Sequence, residues 1–203
     1  MTAHTAQTSP PAGDDQDGGD DALMARVALR DAAAFRLLVD RHARRAHAIG
    51  WRMTADGAEA EDIAQEAMLR LWSHAGRWQR GGPGVAAWLT RVATNLALDR
   101  LRCRRFGASD AVPERADPAP LADAAFDGDR LRKAARDAVQ ALPDRQRAAI
   151  LLTYFEEQSN AHAAEVLEMN IKAFESLLLR ARAALRQSCG ALGLTPDAIA
   201  ETE

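Results

Sequence analysis

Apolar residues return every three or four positions through most of this chain, a period that predicts helices rather than strands. From Leu23 to Ile49 the positions Leu23, Val27, Ala34, Leu37, Leu38 and Ala48 recur at helical spacing, with Arg and Asp between them. From Glu59 to Trp72, Ala60, Ile63, Ala64, Ala67 and Leu71 make one apolar face, while Asp62, Gln65, Glu66 and Arg70 project elsewhere. That pattern describes a surface helix with an acidic flank. The stretch Arg77-Trp78-Gln79-Arg80-Gly81-Gly82-Pro83-Gly84 interrupts the period and reads as an irregular loop, in which Trp78 needs a packing partner. After it, Val85, Trp88, Leu89, Val92, Ala93 and Leu96 give the strongest amphipathic signal in the chain. Arg91, Asn95 and Arg102 lie on another side of this helix, which runs into Arg100, Arg102, Arg104 and Arg105.

The second half is also helical. An Arg-rich amphipathic segment spans Asp129 to Leu142, and Pro143 suits the start of the next helix, Asp144 to about Glu157. Ser159 is placed to cap a short helix through Leu167. A turn at Glu168-Met169-Asn170 then leads to a final helix, about Ile171 to Gln187, with Phe174, Leu177, Leu178, Ala181 and Leu185 at core spacing. Short helix, tight turn and longer helix is the helix-turn-helix order, in which the second helix enters the major groove. Two ordinary packed helices would leave much the same trace.

Composition agrees with an all-α chain: only 5% of the 203 residues are aromatic, and alanine runs through nearly every segment. The formal net charge of −3 hides a strong asymmetry. Residues 1–21 carry five Asp and no base, and they read as a disordered acidic tail. Residues 22–106 carry 15 basic against 8 acidic groups. Residues 107–128, with Pro113, Pro118 and Pro120 and a net charge of −4, read as a flexible acidic linker. Residues 129–190 form the second module and 191–203 a C-terminal tail. The expected architecture is therefore two small helical domains joined by an acidic linker, the second containing the helix-turn-helix.

A basic helix with an apolar back, an amide-bearing front and an arginine-rich end suits nucleic acid. The excess of Arg over Lys, 24 against 2, fits phosphate and base-edge contacts, although a GC-rich genome explains it as simply. Trp51, Trp72, Trp78 and Trp88 are either core residues or, where exposed, stacking platforms for extruded bases. Cys103 and Cys189 have no CxxC partner, so neither a disulfide scaffold nor a zinc site is expected. Cys103, beside the arginine cluster, reads more readily as a buried thiol than as a redox switch. No signal peptide, membrane span, nucleophile-base pair, metal cluster or phosphate loop is visible, so the expectation is a cytoplasmic protein with no cofactor, no metal, no catalytic residue and no small-molecule substrate.

Four motifs in order resemble a bacterial RNA polymerase sigma factor of the extracytoplasmic-function (ECF) group. Ala60-Glu61-Asp62-Ile63-Ala64-Gln65-Glu66 followed by Leu69-Arg70-Leu71-Trp72 resembles the helix that grips the clamp of the polymerase's largest subunit. Ala87-Trp88-Leu89-Thr90-Arg91-Val92-Ala93-Thr94-Asn95, with Asp99 and Arg102, resembles the promoter-melting helix. Leu142-Pro143-Asp144-Arg145-Gln146-Arg147, Ser159-Asn160-Ala161 with Ala163 to Leu167, and Ser176-Leu177 through Arg180-Ala181-Arg182 resemble the second domain.

The resemblance implies a protein that binds core RNA polymerase and promoter DNA and is held in check by an anti-sigma factor. It assigns polymerase binding to Asp62, Gln65, Glu66 and Leu69. Minus-ten DNA falls to Trp78, Trp88, Arg91, Asn95, Asp99, Arg102, Arg104 and Arg105. Minus-thirty-five DNA falls to Lys172, Glu175, Ser176, Arg180 and Arg182. Three positions depart from the family pattern: Glu168 stands where glycine is common, His162 where an acidic capping partner is common, and Glu175 where a base often sits. The competing reading is a stand-alone helix-turn-helix regulator that binds duplex DNA as a dimer.

Overall fold

The computed structural model describes residues 19–107 and 126–191, and the side chains of 19–105 and 133–188. The expected tail before residue 19, the linker from 108 to 125 and residues 192–203 lie outside the described residues. Among the described residues every regular element is a helix: α1 Asp20–Ala28, α2 Ala32–Thr54, α3 Gly57–His74, α4 Gly84–Gly107, α5 Phe126–Gln140, α6 Asp144–Ile150, α7 Asn160–Val166 and α8 Ile171–Ala191.

The apolar repeat from Leu23 to Ile49 is divided between α1 and α2. The N–H of Asp31 reaches back to the Arg26 carbonyl and that of Arg30 to Val27, with Arg30 left-handed at φ 67°, which closes α1 with a six-to-one turn. The Asp31 carboxylate then accepts from the N–H groups of Ala33 (2.9 Å) and Ala34 (3.1 Å) and starts α2. One aspartate thus turns the chain without glycine or proline. Asp20 and Asp21, read from their charge as the end of the tail, stand in the first turn of α1, where acidic side chains complement the helix dipole.

In the first module, α1, α2, α3 and α4 close around Leu23, Met24, Leu38, Ile49, Met53, Ile63, Leu71 and Leu89, all fully buried. Asp56 accepts from the Glu59 N–H (3.1 Å) to start α3. A 3-10 turn at Ala75–Arg77 and an irregular segment follow before α4, as the glycines and proline predict.

In the second module the expected helix from Asp144 to Glu157 is α6 followed by a π-helical turn, Leu151–Phe155, which aims Glu156 inward. Ser159 accepts from the His162 N–H (3.3 Å) and starts α7. Asn170 does the same for α8 through the Ala173 N–H (2.8 Å). Phe174, Leu177, Leu178 and Ala181 form the buried stripe of α8.

Glu168 sits between α7 and α8 at φ 52°, with its N–H on the Glu165 carbonyl and the Met169 N–H on that of Ala164. This is a Schellman ending with a glutamate where glycine is cheapest, and a left-handed L residue costs about 1–2 kcal/mol. Glu168→Gly is therefore expected to raise stability by about 1 kcal/mol, or roughly 2–4 °C in Tm by thermal melting. An unchanged or lower Tm would remove strain at this turn as an explanation.

The two modules meet along one seam. Glu156, whose side chain is only 4% exposed, accepts from Arg45 Nε (2.7 Å) and from Thr90 Oγ1 (3.2 Å). Gln140 donates to the Arg52 carbonyl (2.7 Å), and the Arg147 guanidinium donates to the Met53 carbonyl. Arg105 stands 2.7 Å from Asp144 as a charge contact rather than an aligned hydrogen bond.

Candidate nucleic-acid and polymerase interface

Helix α4 brings the expected minus-ten residues onto one side. Trp88, Arg91, Asn95, Asp99 and Arg102 succeed one another at three- and four-residue steps, which places them along a single stripe. The indoles of Trp78 and Trp88 meet edge to face with centroids 6.5 Å apart. His74 joins them, stacked on Trp88 at 5.1 Å and edge-on to Trp78 at 6.3 Å. Both tryptophans are half-buried and pack against the core, so each has an anchored part and a solvent-facing part. His74 did not stand out in the sequence because its helix position is unremarkable until the loop folds back over it.

The loop after Trp78 is held from outside. Asp21 accepts from Trp78 Nε1 (2.7 Å) and from the Gly81 N–H (3.1 Å). The Trp78 hydrogen bond first, and the Gly81 bond second, hold the Asp21 carboxyl below the ordinary aspartate range.

The arginine-rich end of α4 differs from the sequence expectation. Arg104 donates to Asp56 (2.7 Å) and Glu59 (3.1 Å), and Arg100 to Glu59 (2.7 Å) and Asp62 (3.2 Å). Arg102 pairs with Asp99 (2.8 Å) and Arg105 faces Asp144. The basic cluster is laced to carboxylates of α3, of its own helix and of the second module. Asp56 is held below its usual pKa by the Glu59 N–H and then by Arg104. Cys103 is exposed, which corrects the expectation of a buried thiol: it lies in the last turns of α4, where residues 102–105 are all exposed.

On α3, Asp62, Gln65 and Leu69 are exposed at helical spacing, Leu69 at 60%. Glu66 is bound to Arg70 (2.8 Å). Gln65 borders an open groove between α2 and α3 that includes Val39, Ala43, Arg44, His47, Glu61 and Met68. The α2 side of this groove was missed because Val39 and Ala43 look like core positions in sequence.

On α8, Ile171, Lys172, Glu175, Ser176, Leu179 and Arg180 form an exposed stripe opposite the buried one. Ser176 donates to the Lys172 carbonyl and Arg180 Nε to the Ser176 carbonyl, so both lie along the helix surface. Arg182 is set apart: half-buried, with its guanidinium 5.5 Å from the Tyr154 ring centroid. Among the described residues no His, Cys, Asp and Glu group is arranged to hold a metal, and no helix is long and apolar enough to cross a membrane.

These are two helical modules, the second a helix-turn-helix, and comparison with known proteins places both. The model of sigma-70 region 2 matches residues 38–106, and that of sigma-70 region 4 matches residues 132–185. The chain is 35% identical over 181 residues to the ECF RNA polymerase sigma factor SigL of Mycobacterium tuberculosis, covering 85% of this chain and 99% of that protein. It is 32% identical over 171 residues to SigK of the same organism, covering 82% of this chain and 91% of SigK. Among solved structures it resembles CnrH, determined in complex with the cytosolic domain of CnrY. The TM-score is 0.62 at 26% identity, over 85% of this chain and 97% of CnrH. The sigma factor RpoE of Bartonella quintana, solved with the anti-sigma factor NepR, has the same fold with a TM-score of 0.60 at 22% identity. That match spans 77% of this chain and 96% of the other.

The chain belongs to the ECF RNA polymerase sigma factors. It is a DNA-binding transcription initiation factor, made of the two sigma regions.

Proposed function

We propose that the chain docks on core RNA polymerase through α3, with Asp62, Gln65, Glu66 and Leu69 as contacts, and opens promoters through α4 and the Trp78 loop. The observation that carries this division is a pair of separate surface stripes, one exposed on α3 around Leu69 and one on α4 in which exposed Arg91, Asp99 and Arg102 alternate with half-buried Trp88 and Asn95. Trp78, Trp88 and Asn95 form the pocket for a base extruded from the minus-ten non-template strand, where stacking is worth about 1–3 kcal/mol per base. Arg91, Arg102, Arg104 and Arg105 hold phosphates, and Asp99 keeps Arg102 oriented. The exposed stripe of α8 takes the minus-thirty-five major groove through Lys172, Glu175, Ser176 and Arg180. Arg182, turned towards Tyr154, supports that helix and reaches DNA only at its edge.

With Glu175 in the stripe, attraction of the second module to duplex DNA is weak, and polymerase delivers it. The protein works in the cytoplasm, and a partner that covers the α3 and α4 faces acts as its anti-sigma factor. It performs no chemistry of its own.

Run-off transcription with core RNA polymerase and genomic fragments tests the whole reading. Asn95→Ala and Trp88→Ala are each expected to lower transcript about tenfold or more with polymerase binding kept. Asp62→Ala with Gln65→Ala is expected to weaken polymerase co-elution while leaving the melting face intact. No transcript from any fragment, with tight binding of the isolated chain to a palindrome, would replace this reading with a stand-alone regulator.

A further inference from the structure

The segment from Trp78 to Gly84 has little of its own to hold its shape. Gln79, Arg80, Gly81, Gly82 and Pro83 are exposed, and Gly81 and Gly84 take left-handed φ values of 75° and 83°. Its first residue and its middle are nevertheless tied to one point, the Asp21 carboxylate, one oxygen to the Trp78 indole and the other to the Gly81 backbone.

That point is rigid. Leu23 and Met24, which follow Asp21 in α1, are fully buried. Asp20, which precedes it, is fixed to α2 through Arg41 (3.1 Å) and His42 (2.7 Å). A charged acceptor on a braced helix makes stronger bonds than a neutral one, and both donors converge on it. The bond to Trp78 also sets the indole that packs against Trp88 and His74.

We propose that Asp21 is a positioning residue for promoter reading: its carboxylate holds the Trp78 ring and the Gly81 backbone in the arrangement that receives the extruded minus-ten base. This rests on the proposal that the Trp78 loop forms that pocket. Asp21 lies upstream of the residues that match sigma-70 region 2. It acts only through the loop.

The test uses the full chain in holoenzyme and a promoter found by the run-off experiment, with each base substituted in turn at the minus-ten and minus-thirty-five elements. Asp21→Ala is expected to reduce discrimination at the extruded minus-ten base about tenfold, since loosening a binding constellation by about 1 Å has costs of that order or more. Discrimination at minus-thirty-five and co-elution with polymerase should stay within about twofold of wild type. Asp21→Glu should recover most of the loss. Asp21→Asn should recover little, because the amide offers one acceptor and turns an N–H group toward the second donor.

Unchanged minus-ten discrimination in Asp21→Ala, an equal loss at both elements, or no recovery with Asp21→Glu would overturn the role. Asn95→Ala, a change in the pocket itself, separates the two levels. If it loses minus-ten discrimination while Asp21→Ala keeps it, the pocket reads the base and only the Asp21 inference fails. If the pocket variant also keeps full discrimination, the pocket assignment itself has failed.

Discussion

Replacing Arg147 by leucine is expected to cost about 3 kcal/mol, a larger loss than most single substitutions cause. The residue is 7% exposed, and its guanidinium donates to three main-chain carbonyls. Nη1 reaches Met53 at the end of α2, while Nη2 reaches Gln140 (2.6 Å) and Leu142 (3.1 Å) at the turn between α5 and α6. Burial lowers the guanidinium pKa from its ordinary value and the nearby Asp144 opposes that shift, but an arginine stays charged throughout. Leucine fills part of the volume and satisfies none of the three acceptors. Each carbonyl left buried and unpaired costs about 1–3 kcal/mol, which readmitted water offsets in part. Lysine keeps the charge but not the planar fork, so Arg147→Lys should recover less than half. Thermal and denaturant melts of the three proteins check this, with a drop of roughly 6–12 °C expected for leucine. A leucine variant within about 0.5 kcal/mol of wild type would mean that these bonds contribute nothing net.

Gly50→Val should cost a similar amount, about 3 kcal/mol, for the opposite reason. Gly50 lies inside the C-terminal part of α2, where glycine is about 1 kcal/mol worse than alanine, so propensity alone favours replacing it. Packing forbids it. A Cβ at this position would stand 2.9 Å from the Ala60 Cα and 3.3 Å from its carbonyl oxygen, and those are main-chain atoms that no rotamer change can move. The helices must separate, and overpacking of this kind costs about 1–3 kcal/mol even for small additions. Gly50→Ala, in which the propensity gain offsets part of the clash, should lose less than Gly50→Val. Denaturant midpoints rank the series, and an alanine variant more stable than wild type would show that α2 and α3 can move apart freely. Because α2 and α3 also flank the groove beside Gln65, polymerase co-elution should weaken in the same order.

Much of the architecture was legible because it rests on periodicity. The repeat from Val85 to Leu96 needed only a buried stripe to become α4, and Ser159 announced a helix start by chemistry that local backbone geometry enforces, whereas Asn170, read only as part of a turn, caps α8 as well. The break at Leu29 to Asp31 stayed hidden since Arg30 adopts a left-handed φ that arginine seldom takes and the apolar repeat runs on across it. Asp20 and Asp21 were misread for a related reason. Their charge suggested a solvated tail, whereas two acids just before an apolar repeat also mark the first turn of a helix.

Of the candidate site, the helices and faces were readable and the pairings were not. Arg104 and Glu59 are 45 residues apart in sequence, and Glu156 and Arg45 are 111 apart. No pattern within one helix reports a partner on another. The inward turn of Glu156 depends on a π-helical step that shifts the side-chain register after Leu151, a local change with no sequence period of its own.

The carboxylates around the end of α4 alter what a phosphate would find there. Arg100, Arg102, Arg104 and Arg105 each already face an acid, so an arriving strand has to displace one anion with another and return Asp56, Glu59 or Asp144 to water. Under the proposed phosphate role, binding at that end would be an exchange of partners, in which few bound salt ions are set free and the count of arginines overstates the pull on DNA. What would then favour the strand is fit, the match between phosphate spacing and the guanidinium planes. On that proposal the arginine-rich end of α4 would select for shape, with the acids beside it setting the threshold.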